Sequence, residues 1–395
     1  MEGEWRRRRE HDRRQDRHIG RVHRTLFSSV AGYGHVFPLL PLAQAFRDRG
    51  DAVAIVTSPS YARHVEAVGL QLLPAGLDED ELNARFAPAK AKSLTLPIPE
   101  RRRFVFSQRF ALLEAPARID GLRVHVQTFQ PDLIVHESAE LAAPVVAAQL
   151  GLRSVQHTFG RMVSWPAIDG AAIAVIPLWE RAGVELEPHA GMFRGPLVDI
   201  CPPSLGSERP PNGTPLFPLR PVDAAVSQHA GERPLIYVTL GTVVTSARTL
   251  DILLAALADI DADVLLTTGW QNDPADLATI PANASVERFV PQSEVLPRCS
   301  LIVTHAGSGS TLGALAHGVP MLAVPHAADQ FENAAASAAA GAARVVMPDE
   351  LAESVVREAA LALLEDSSYR HAAREVAAEI AAMPSAAEVA VRLAA

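Results

Sequence analysis

Cysteine is nearly missing: Cys201 and Cys299 are the two thiols among 395 residues, far apart and with no second thiol or His-x-His pattern beside either. That excludes a disulfide scaffold and a cysteine-based zinc site, and it suits a reducing, cytoplasmic setting. Long hydrophobic runs are absent too. The most extended apolar stretch, Leu141–Leu152, stops at Arg153, short of the roughly 18 to 20 residues that span a bilayer, so no transmembrane helix is expected. A positive balance is also lacking. The 36 basic residues face 45 acidic ones for a net charge of −9, which argues against a general nucleic-acid binder, whose affinity rests on many cationic contacts to phosphates.

What is there is a globular composition, 48% hydrophobic and 21% charged, in a chain long enough for two domains of roughly 100 to 200 residues. Charge is unevenly spread, since residues 1–24 hold nine arginines against five acids. The apolar segment after them is broken by Gly32, Gly34, His35 and Pro38, which makes a poor signal peptide, so residues 1–24 read as a basic, disordered arm.

From residue 25 onward the chain alternates strands and helices. Thr25–Val30 reads as a strand, Gly32 and Gly34 as a glycine loop, Val36–Arg49 as a helix and Ala52–Thr57 as the next strand, the opening of a doubly wound parallel sheet. Asp132–Val135 and the helix Ala139–Gln149 belong to the same half, which spans 25–205. A Pro- and Gly-rich segment, 206–222, reads as a linker. A second alternating unit covers 223–384, with strands at Leu235–Leu240, Asp263–Thr268, Leu301–Thr304 and Met321–Val324 and helices at Ser246–Ala258 and Ser310–His317. The fold class is therefore α/β, two Rossmann-like domains facing a deep cleft, with ligands expected outside the carboxyl ends of the strands.

Thr304-His305-Ala306-Gly307-Ser308-Gly309-Ser310-Thr311 leaves a strand, turns on glycines and enters a helix that Ser308 or Ser310 would cap. A helix start with unclaimed N–H groups and small hydroxyls attracts anions, although the lysine of a Walker loop is missing. The segment belongs to a longer run: Arg288-Phe289-Val290-Pro291-Gln292, then His305 to Gly313, then Gly318-Val319-Pro320, then Asp329-Gln330-Phe331-Glu332-Asn333. With Gly34-His35-Val36-Phe37-Pro38 near the start, this order resembles the inverting family 1 glycosyltransferases of the GT-B fold, in particular the bacterial branch that decorates macrolides, enediynes and related antibiotics. The resemblance covers about residues 24–390.

The resemblance implies roles. Phe289 would stack on the nucleobase, with backbone groups of Val290 and Gln292 on the base edge. His305, Gly307, Ser308, Gly309 and Ser310 would hold the diphosphate, joined by Thr242, and Asp329 and Gln330 would bind sugar hydroxyls. Where several UDP-glucose users of the superfamily carry a ribose-binding Glu, this chain has Gly313. A carboxylate that binds a 2′-hydroxyl is stranded by a deoxyribose, so the loss favours a dTDP-activated, often deoxygenated, sugar over a UDP-sugar. The last segment, 385–395, is expected to return as a helix onto the first domain.

Proton removal from an acceptor hydroxyl suits an imidazole. His35, at the mouth of the first helix, is the candidate base, with Glu137 against its other nitrogen to fix the tautomer. His136 should point to the opposite face of its strand. Phe104, Phe110, His157 and Trp165, with Phe106, Trp179 and Phe193, are candidates for the wall of an apolar acceptor pocket. Asp261-Ala262-Asp263 reads as solvated loop, and no metal or other cofactor is expected beyond the nucleotide sugar as co-substrate. No pair of acids is spaced for double displacement, which favours inversion. The expected partners are thus a nucleotide sugar and an apolar aglycone, with no nucleic acid and no membrane; a homodimer, a UDP-sugar-dependent glycosyltransferase, a GT-B epimerase and a non-catalytic partner of another transferase stay open as alternatives.

Overall fold

Apolar runs rich in Val, Ile and Leu alternate with helices through both halves and assemble into two parallel sheets; the computed structural model describes residues 22–206, 208–226, 233–241, 247–269 and 272–394. The arm up to Arg21 and Thr242 lie outside the described residues. Strands β1 (Arg24–Ser28), β2 (Ala52–Thr57), β3 (Gln71–Pro74), β4 (Leu133–Glu137), β5 (Arg153–His157), β6 (Leu197–Asp199) and β7 (Leu216–Pro218) form the first sheet in the order β3-β2-β1-β4-β5-β6-β7. Strands β8 (Leu235–Thr239), β9 (Asp263–Thr267), β10 (Ala284–Glu287), β11 (Leu301–Thr304), β12 (Met321–Ala323) and β13 (Ala343–Val345) form the second, ordered β10-β9-β8-β11-β12-β13. Both sheets reverse direction of winding once, between β1 and β4 and between β8 and β11. Helices leaving the two central strands diverge there, which opens a crevice at the carboxyl ends.

Several boundaries differ from the sequence reading. β1 stops at Ser28 rather than Val30, because charged side chains take the backbone groups of the next residues. The linker segment contains β7, parallel to β6 at the sheet edge; Pro218 has no N–H to give a further neighbour and is tolerated there. Neither Ser308 nor Ser310 caps the helix Ser308–Ala316: its N-cap is Gly307, without a side-chain hydrogen bond. Trp179 is fully buried in the core of the first half and lines no open wall.

Two segments carry the chain between the halves. Arg220, just after β7, donates its backbone N–H to Pro384 O (2.8 Å) and its guanidinium to Met383 O at 3.1 and 3.2 Å. The C-terminal helix Ala386–Ala394 then packs Val389 and Leu393 beside Leu42 and Phe46 of the helix Leu40–Asp48. Burying two such side chains contributes roughly 1.5–3 kcal/mol each. Among the described residues no helix is long and apolar enough to cross a membrane.

Candidate active site

The first crevice places His35 beside Glu137. Tyr33–Val36 and Phe37–Leu39 form one tight helical lead into Leu40–Asp48, with Pro38 and Pro41 where no N–H donor is needed. His35 therefore sits in the first turn after β1, and Glu137 ends β4, the strand paired with β1 across the crevice. His35 Nδ1 lies 3.3 Å from Glu137 Oε2; the carboxylate is 0% exposed and the imidazole 15%. The contact becomes an ion pair when the imidazole takes up a proton. Glu137 also accepts from Ala139 N (2.6 Å) and Val30 N (3.3 Å). Burial alone would raise its pKa, but His35 and these N–H donors hold the carboxyl below its ordinary range, so it stays an anion able to stabilise an imidazolium. Gly32 is the floor beneath the ring, since a Cβ there would meet His35 Cδ2 at 2.8 Å.

Apolar rings enclose the imidazole. Phe159 and Phe110 stand 4.5 and 5.3 Å from it, centroid to centroid, and Phe106 packs on Phe110 at 5.1 Å. Phe104 lies under Lys92 Nζ (5.3 Å), and Trp165 packs against His189 and Phe193. His157 differs from the sequence reading. It is fully buried, opposite Glu137 in register on β5, with Nδ1 2.5 Å from Thr158 O. It stands behind the acid instead of lining an open wall.

His136 is buried too, its Nδ1 3.4 Å from Glu137 O. Burial pulls the pKa of both His136 and His157 down to about 4 from 6.5. A buried neutral histidine binds its proton more readily in the unfolded chain, so its stabilising contribution is complete above pH 6.5 and fades as pH falls towards 4. Each should cost about 2 kcal/mol between pH 7 and pH 5. Urea titrations at the two pH values check this; in the His157→Gln protein the pH-dependent loss should shrink by one such share.

In the second half, β11 delivers the other imidazole. His305 is packed between two glycines, for a Cβ on Gly241 would come within 2.8 Å of its ring and one on Gly307 within 2.5 Å. Burial brings its pKa to about 4, against the opposing pull of Asp329, so it is a neutral hydrogen-bonding group. Ser308, Gly309 and Ser310 occupy the first turn of the helix, where N–H groups have no partner four residues back. Their hydroxyls are engaged: Ser308 Oγ donates to Asp329 (2.6 Å), and Ser310 Oγ accepts from Gln292 Nε2 (2.9 Å). Gln330 Oε1 accepts from His326 N and Ala327 N at 2.8 and 2.9 Å. Phe289 presents a ring 51% exposed, and Val290 is half-buried against the core beside it.

Asn333, four residues after Asp329, joins two loops. Its Nδ2 reaches Ala306 O (3.0 Å), Ser308 Oγ (3.2 Å) and Asp329 (2.8 Å), tying the glycine loop to the segment 329–333. Both segments hold a strained non-glycine residue, Ala306 (φ 61°) and Ala328 (φ 54°). Left-handed backbone costs such residues roughly 1–2 kcal/mol and persists where surrounding bonds over-determine it. A cavity of about 320 Å³ adjoins the loop, bounded by Gly309, Gly313, Gln292, Leu296, Val222 and Asp223. A Cβ on Gly313 would sit 3.2 Å from Leu296 and 3.5 Å from Gln292 Oε1, so the missing side chain keeps that cavity open.

The halves meet directly. Gly160 abuts Ser308, and Arg102, on the helix Ile98–Phe106, pairs with Glu332 on the helix Gln330–Ala339. Burial pulls the Arg102 guanidinium below its usual range, with Asp329 opposing. Asp261 and Asp263 lie on Arg233 at 3.1 and 3.3 Å, an exposed ion cluster. Among the described residues no group of three or more His, Cys, Asp or Glu is arranged to hold a metal.

Known proteins share both the sequence and this architecture. Residues 44–169 match the erythromycin biosynthesis protein CIII-like N-terminal domain, and residues 251–395 the corresponding C-terminal domain. Elloramycin glycosyltransferase ElmGT of Streptomyces olivaceus is 35% identical over 94% of this chain and 96% of its own. The crystal structure of glycosyltransferase SnogD from Streptomyces nogalater, 29% identical, superposes with a TM-score of 0.72 over 95% of this chain and 99% of that one. Glycosyltransferase VinC, solved in complex with dTDP, is 26% identical with a TM-score of 0.73 over 94% and 98%. The chain therefore belongs to the erythromycin biosynthesis protein CIII-like family, glycosyltransferases of GT-B fold from bacterial natural-product biosynthesis.

Proposed function

We propose that this glycosyltransferase moves a sugar from a dTDP-activated donor to a hydroxyl of an apolar aglycone, with inversion and without a metal ion. The observation that carries the reading is the His35–Glu137 pair, with a carboxylate 0% exposed at 3.3 Å from Nδ1. That anion favours a proton on Nδ1 and leaves Nε2 basic, so Nε2 takes the acceptor proton as the oxygen attacks the anomeric carbon, and Glu137 stabilises the resulting imidazolium. The aromatic surroundings, Phe110 and Phe159, suit a planar or apolar acceptor.

On the far side of the sugar, the diphosphate leaves towards the first turn of the helix Ser308–Ala316. N–H groups of Ser308, Gly309 and Ser310, His305 and the helix dipole take up its developing charge. Asp329 and Gln330 would bind sugar hydroxyls, and Phe289 would stack on the base. Attack on one face with departure from the other inverts the anomeric centre.

The open cavity at Gly313 and the dTDP complex of VinC support thymidine over uridine nucleotides. Calorimetric titration without metal should show tighter binding of dTDP than of UDP. Gly313→Glu should weaken dTDP by about tenfold or more, because the side chain enters the cavity and its carboxylate finds no 2′-hydroxyl, while UDP loses less. Tighter UDP binding by the unmodified protein would keep the enzyme class and remove the deoxysugar-nucleotide reading.

A further inference from the structure

Charged side chains hold the turn that carries His35 almost residue by residue. Ser29 O accepts from Arg118 (2.5 Å), Val30 N donates to Glu137 (3.3 Å), Ala31 N donates to Glu114 (3.2 Å) and Ala31 O accepts from Arg109 (2.8 Å). Arg109 Nε also donates to Glu114 Oε1 at 2.8 Å, so the two side chains close on both sides of a single residue's backbone. Glu114 is 5% exposed and Arg118 2%, and Arg118 is itself paired with the fully buried Glu140 at 2.6 Å. Desolvating ions is costly, and apolar side chains would seal a turn with less penalty. What ions add is direction: each fixes one N–H or C=O at a set angle.

The segment that delivers Arg109 and Glu114 has an unusual helical form. Ser107–Glu114 is a π-helix. Residues five apart lie on well-separated faces of an α-helix at 3.6 residues per turn, whereas i→i+5 winding brings them back into line. That winding is what lets Arg109 and Glu114 meet at Ala31 while Phe110, between them, faces the His35 ring at 5.3 Å.

We propose that Arg109 and Glu114 are positioning residues for His35: acting through Ala31, they set the orientation of the imidazole from the acceptor side of the cleft. Their polar contacts are with the backbone of Ala31 and with each other. The inference rests on His35 being the base, and its test is independent of the donor site.

The test uses full-length protein labelled with ¹⁵N in histidine, its His35 signals identified by their loss in His35→Ala. In Arg109→Met, and in Glu114→Gln, where the amide cannot accept from both Ala31 and Arg109, the His35 ring signals should shift or broaden. Those of His305 should stay in place, and dTDP affinity should be unchanged. Arg109→Lys, which can still donate to one of the two acceptors, should restore part of the original pattern. His35 signals identical to the unmodified protein in Arg109→Met would overturn the proposal, and so would equal disturbance of His35 and His305. Arg109 is 26% exposed, so its variants keep the question answerable if Glu114→Gln fails to fold. Failure of the unmodified protein to bind dTDP would count against the donor reading alone.

Discussion

Replacing His35 by alanine should lower the turnover number by about 10²–10⁴-fold and leave dTDP affinity unchanged. The range is that of a positioned general base removed from a proton transfer. Affinity should survive because the groups proposed to hold the nucleotide, His305 and the first turn of Ser308–Ala316, belong to the other half. The side chain is also cheap to delete: it is partly exposed and its polar contact is with Glu137. Transfer from a dTDP-sugar to an aromatic aglycone, followed chromatographically beside calorimetry, checks both halves of the statement. Near-normal turnover by His35→Ala would assign the base elsewhere.

Gly160→Val should reduce turnover by about 100-fold through a different route. A Cβ at Gly160 would lie 2.0 Å from Ser308 Oγ and 2.5 Å from its Cβ, closer than atoms can approach. Ser308 cannot simply swing aside, because its hydroxyl is bonded to Asp329 and Asn333. The halves must then separate, and a misplacement of about 1 Å between reacting groups is enough for a loss of this size. Nucleotide binding should change little. If dTDP affinity fell in parallel with turnover, the damage would lie in the glycine loop itself; unchanged turnover would mean that the halves close without this contact.

Both expectations draw on residues of very different legibility. His35 and His305 stand out because each lies beside glycines just after a short apolar strand, and the alternating order of strands and helices implies a crevice at each reversal. Glu137 could be found for the same reason, as the last residue of a neighbouring strand. Arg109 and Glu114 could not. Their relation is a five-residue spacing, which a search for 3.6-residue periodicity scores as unrelated, and their common target is a backbone group with no side-chain signature. Asn333 was visible as a letter in a motif, but its three bonds depend on how the loop at Ala306 and the turn at Ala328 fold back on each other. β7 was hidden by prolines that mark a linker in most settings and are harmless on an edge strand. His157 reads as a pocket residue because β5 ends at the crevice, yet its ring is fully buried.

The double crossing at Arg220 acts as a pivot. Two chain segments that pass between the halves and are stapled at Met383 and Pro384 leave that point nearly fixed in any relative rotation, with displacement growing along the lever arm from it. Val222 and Asp223, a few residues from the staple, form one wall of the cavity at Gly313. If the halves rotated about this staple, that wall would move least, and a nucleotide held in the cavity would keep its surroundings while the contacts of Gly160 with Ser308 and of Arg102 with Glu332 broke.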